Sequence, residues 1–67
     1  AERCIVQSPI VIASIHVFDG LGRAVADQKI GASQFELFLN DWANGSYILQ
    51  AELVNGEKKV VRFEVVH

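Results

Sequence analysis

The chain has 67 residues, 51% of them hydrophobic and 21% charged, with a formal net charge of −2. That length holds one domain at most, and the composition is that of a folded chain, not a disordered one. Interspersed acids and bases leave no basic face for a phosphate backbone, and no apolar run approaches the roughly 18 residues of a membrane helix, so neither nucleic acid nor membrane insertion is expected.

Size also limits chemistry. A domain this short buries only about 60% of the surface its unfolded chain exposes. A deep cleft would remove core that it can hardly spare, which argues against an enzyme. The one cysteine, Cys4, can form no internal disulfide and cannot build a metal site by itself. It reads as a small hydrophobe near a chain end. The opening Ala-Glu-Arg carries neither Met nor a signal pattern. The expectation is therefore one domain, residues 1–67, cut from the C-terminal end of a longer protein.

β-branched and aromatic residues dominate, Met is absent, and the apolar period is two. The first strand is expected over Cys4 to Gln7, stopped by Ser8-Pro9. The second runs from Ile10 to Phe18, with Ile15 and Val17 on one face and His16 and Phe18 on the other. Asp19-Gly20-Leu21-Gly22 is a turn in which Asp caps locally and either Gly takes a positive φ. Arg23 to Ile30 is a third strand, broken by Gly31-Ala32-Ser33. Gln34 to Leu39 alternates, with Phe35, Leu37 and Leu39 opposite Glu36 and Phe38. A polar connection, Asn40 to Gly45, contains Trp42. Ser46 to Val54 alternates again, and Asn55-Gly56 predicts a type I′ hairpin turn. Lys58 to Val66 is the last strand, with Val61, Phe63 and Val65 on one side. About six strands joined by short turns predict an all-β fold: a small immunoglobulin-like antiparallel β-sandwich.

Candidate chemistry is sparse. Glu36, Asp41, Glu52, Glu57 and Glu64 fall at outward strand positions or in turns, where acids keep edges soluble. His16 and His67 are the only histidines, too few for a metal site. No serine has a nucleophile-elbow context. Gly20-Leu21-Gly22 is too short for a dinucleotide loop. No cofactor, catalytic residue or metal ligand is expected. Trp42 and Tyr47 read as core plugs at a sandwich end, the other reading being a platform for a sugar.

Three features occur in order. Asp19, Gly22 and Arg23 form Asp-x-x-Gly-Arg, and Gly45, Ser46 and Tyr47 form Gly-x-Tyr. A terminal strand of basic then alternating apolar residues is met by Lys58, Lys59, Arg62, Phe63, Val65 and Val66. In this combination, from Ile15 to Val66, the chain resembles the type A C-terminal sorting domain of type IX secretion cargo in Bacteroidetes. The front end differs: the family opens with a Pro-Asn-Pro box and a further strand, whereas here Ser8-Pro9 runs almost directly into the next strand.

The resemblance implies an address label on an exported protein. It implies passage through the periplasm of a Gram-negative bacterium, recognition by type IX components (an outer-membrane shuttle and a sortase) and a secreted or cell-surface destination. Within that frame, the terminal strand is the expected reading surface: Lys58, Lys59, Arg62, Phe63, Val65 and Val66. An exposed edge strand is also expected to allow homodimerisation. The other reading is an immunoglobulin-like accessory module for adhesion or carbohydrate binding.

Overall fold

A computed structural model describes residues 3–67. The described residues form four strands and no helix: β1 (Arg3–Asp19), β2 (Ala24–Phe38), β3 (Gly45–Leu53) and β4 (Lys58–Val65). They make one antiparallel sheet in the order β2-β1-β3-β4.

The expectation of about six strands in two sheets is thus corrected to four strands in one hydrogen-bonded sheet. The two expected breaks are irregularities inside long strands. Ser8-Pro9 lies where the β1–β2 register jumps between Gln7 and Ile12, and β3 begins to pair only at Ile12. The missing Pro N–H therefore costs no ladder bond. Gly31 takes φ +72° beside the second β1–β2 irregularity, so β2 bends there and continues.

A β-bulge at Ala13 controls which way the side chains point. Ile12 faces Leu53 and Ser14 faces Glu52, so Ala13 is the extra residue. Before it, Cys4, Val6 and Ile10 turn inward with buried Ile12; after it, Ile15 and Val17 are the buried residues. The inward set switches from even to odd positions. That is how a strand can cross from one layer to another while keeping its apolar side within. The N-terminal half of β1 and the C-terminal half of β2 form a two-stranded ribbon (Arg3–Gln7 against Gln34–Phe38). Cys4, Val6 and Phe35 of this ribbon pack on the core, where Leu37 is buried with Ile12, Ile15, Val17, Leu39, Leu49 and Val65. Full burial of a side chain such as Leu49 contributes about 1.5–3 kcal/mol.

The two tight hairpins share one geometry. Gly22 N–H donates to Asp19 O and Asp19 N–H donates to Arg23 O; Gly56 N–H donates to Leu53 O and Leu53 N–H donates to Glu57 O. Gly22 and Gly56 have φ +83° and +93°, and among the described residues only glycines have positive φ. The type I′ turn expected at Asn55-Gly56 is therefore corrected. Such a turn needs positive φ at both central residues, and Asn55 does not have it. The loop is three residues long, with glycine in the left-handed position and a bulge closing the hairpin. The Asn55 side chain explains its preference: Oδ1 accepts from Glu57 N–H at 3.0 Å. A left-handed non-glycine residue costs roughly 1–2 kcal/mol. Gly56→Ala is expected to lower unfolding free energy by that amount in urea titration, and an unchanged midpoint would contradict this turn.

Candidate recognition surface

The Asp19–Arg23 hairpin is built by one carboxylate. Asp19 Oδ1 accepts from the backbone N–H groups of Leu21 (2.9 Å) and Arg23 (3.0 Å). Oδ2 accepts from Arg23 Nε at 2.9 Å. The Arg23 backbone N–H first, then that of Leu21 and the Arg23 guanidinium, hold the Asp19 carboxyl below the usual carboxylate range. All three motif residues are explained locally. Asp19 closes the loop, Gly22 supplies the left-handed backbone, and Arg23 neutralises the carboxylate from within the domain.

The Gly-x-Tyr motif is explained by a second corner. Tyr47 is buried, and its hydroxyl donates to Ala43 O at 2.7 Å. Its ring lies 4.9 Å from that of Trp42 and 5.6 Å from that of Phe63, centroid to centroid. Trp42 N–H donates to Leu39 O, closing the turn that leads into this corner. His67 adds two contacts: its N–H donates to Asn44 Oδ1 at 3.0 Å, and its Nε2 lies 2.6 Å from Trp42 O. Loop 39–44 is thus tied to β3, to β4 and to His67. The His67 clamp was not anticipated from the sequence, since nothing in the order of residues places position 67 beside 42. Trp42 and Tyr47 are indeed brought together, tilted at 57°, and the Tyr47 ring stacks on Phe63, so Tyr47 acts as a core plug.

The remaining candidates lie apart. His16 Nδ1 is 3.2 Å from Asp27 Oδ1 across β1 and β2. Burial pushes the Cys4 thiol up, so it stays protonated and weakly nucleophilic. Among the described residues no group of three or more potential metal ligands converges.

The terminal strand divides by face. Val65 is fully buried and Phe63 partly so, and both hold β4 to the core. Lys58, Lys59 and Arg62 are exposed. Arg62 pairs in register with Ile48 and borders a shallow groove at the hairpin end, with Phe18, Gly20, Gly22, Ser46 and Ile48. Among the described residues, neither Lys58 nor Arg62 has an ion-pair partner.

Residues 4–66 match the family described as the secretion system C-terminal sorting domain. The chain belongs to this family. The sorting domain is therefore an all-β signal of type IX secretion, which implies export and an interaction with that machinery. No curated protein and no solved structure matches it. Catalysis is not the role of such a domain.

Two measurements check these corners. A folded-state carboxyl below its unfolded value stabilises above the unfolded pKa, about 3.9, and that stabilisation is lost as pH falls through the folded value. Urea unfolding between about pH 5 and pH 2 is expected to show a larger acid loss for the wild type than for Asp19→Asn; equal losses would remove Asp19 as the cause. Tyr47→Phe keeps the ring and deletes one hydrogen bond, with an expected loss of about 0.5–1.5 kcal/mol in thermal unfolding, and no loss would mean that the Ala43 bond is idle.

Proposed function

We propose that this domain is the address label of an exported protein, read in the periplasm of a Gram-negative bacterium and carried across the outer membrane to the surface. Its readers are the outer-membrane shuttle and the sortase of the type IX apparatus. The reading rests on one observation: the match to the secretion system C-terminal sorting domain spans residues 4–66.

Physical features support it. We take the single sheet, with its ribbon packed on the core, as a reduced immunoglobulin-like sandwich, a fold robust enough for a label. The Tyr47 hydroxyl bonded to a carbonyl four residues upstream resembles the tyrosine corner of such sandwiches. The label is read at β4. Lys58 and Arg62 are exposed and have no ion-pair partner among the described residues, which suits them to steer a receptor of opposite charge. Phe63 and Val65 act from inside by holding the strand in place, and Val66, exposed at the end of the strand, completes the surface.

The test is a fusion of residues 1–67 to a reporter bearing a periplasmic export signal, expressed in a type IX-competent cell. The reporter is expected at the surface or in the medium. Lys58→Glu with Arg62→Glu is expected to reduce export about tenfold, the equivalent of ~1.4 kcal/mol in receptor affinity. Retention of the unsubstituted fusion in the periplasm, while a proven cargo is exported from the same cells, would remove the sorting function.

A further inference from the structure

The sheet closes incompletely on one side, and the opening has the form of a strand site. The N-terminal half of β1 pairs with β2 on one side only, because β3 joins β1 from Ile12 onward. β4 is a free edge too, since the sheet order ends with it. A slot of about 220 Å³ lies between these edges. Val6, Gln7, Ser8 and Pro9 form one wall, and Lys59 to Val61 form the other. Its floor is core: Ile12, Leu49, Ala51 and Leu53, all buried side chains.

The residues at the slot carry the marks of an uncovered interior. Val61 sits directly opposite Leu49 and shares the inward face with buried Val65, yet it is 42% exposed. Lys59 is on the same face of β4, opposite Ala51, with its side chain largely exposed and a long ion pair to Glu57 at 3.9 Å. An inward lysine at a sheet edge opposes indiscriminate strand pairing. A carboxylate on an incoming strand would give it a closer partner.

The backbone of β4 is ready for such a strand. Leu53 N–H donates to Glu57 O, so hydrogen-bonded pairs recur at every second position, at Ala51–Lys59 and Leu49–Val61. Lys58, Val60, Arg62 and Glu64 then turn their N–H and C=O groups outward, away from β3. Three of the residues from 58 to 62 are cationic and none is acidic.

We propose that this slot receives an extended segment of the secretion receptor, which pairs with the outer edge of β4. The segment alternates apolar and acidic residues. Its apolar side chains cover Val61 and the Leu49–Leu53 floor, and a carboxylate meets Lys59. This rests on the sorting reading, and it names the contact by which the label is read.

Export of the same reporter fusion tests it. Val60→Pro removes an outward N–H while leaving the β3–β4 bonds intact, a position where an edge strand tolerates proline. Lys59→Glu reverses the inward charge and provides a second variant with an unaltered backbone. Each is expected to lower the exported fraction about tenfold or more, with thermal unfolding of the purified domain showing that it still folds. Lys29→Glu on β2, at the opposite edge, is expected to export normally. Normal export of folded Val60→Pro and Lys59→Glu, with the unsubstituted fusion also exported, overturns the slot and leaves the sorting reading standing. Retention of the unsubstituted fusion overturns both. If sedimentation shows a dimer that Val60→Pro dissociates while export continues, the slot belongs to a second copy and the receptor strand is overturned.

Discussion

Every part of this domain hangs on β1. Like β3 it has a neighbour on each side, in its C-terminal half, and its N-terminal half also carries the ribbon that packs on the core. A regular strand of this length could not do both. Period-two alternation would carry the same face outward once the strand had turned over the core. The extra residue at Ala13 shifts the phase by one, so Ile10 and Ile12 on one side and Ile15 and Val17 on the other all point inward. With so few residues, this arrangement lets one sheet bury ten hydrophobic side chains among the described residues.

The features that mark the family are mostly fold devices. Asp19, Gly22 and Arg23 close a hairpin, and Tyr47 locks a corner through Ala43 O and the rings of Trp42 and Phe63. Asp19 and Tyr47 have their polar groups engaged within the domain, whereas Arg23 is bound through Nε alone and its guanidinium otherwise faces solvent. Also available is the edge of β4, where the backbone groups and the cations of Lys58 and Arg62 face solvent. Under the proposed reading, the residues that make the label stable are separate from those that make it legible. The same edge is a liability in isolation, and inward Lys59 is the natural guard against indiscriminate pairing.

Much of the local structure could be read along the chain. The alternations at Phe35-Leu37-Leu39, Tyr47-Leu49-Ala51-Leu53 and Val61-Phe63-Val65 gave the correct inward faces, because period two is imposed by the strand backbone itself. The turn positions followed from Asp-Gly and Asn-Gly chemistry. The turn type at Asn55-Gly56 did not, since the dipeptide suits both a two-residue I′ loop and a three-residue loop with a bulge. Which one forms is set by how Leu53 and Glu57 come into register. Strand number was misread for a related reason: Pro9 and Gly31 look like strand ends, yet each sits where a ladder is already irregular and so interrupts nothing further.

From the sequence alone came the all-β class, the antiparallel closing hairpin and the motif order. These depend on neighbours two to five residues apart, where backbone sterics and side-chain chemistry act directly. Only the tertiary structure decided that the described strands form one four-stranded sheet, that His67 clamps the Trp42 loop, and that Val6–Pro9 faces Lys59–Val61 across an open slot. These are contacts between residues roughly 25 to 50 positions apart. No local preference encodes them; they depend on how strands distant in the chain pair and where their ladders are irregular.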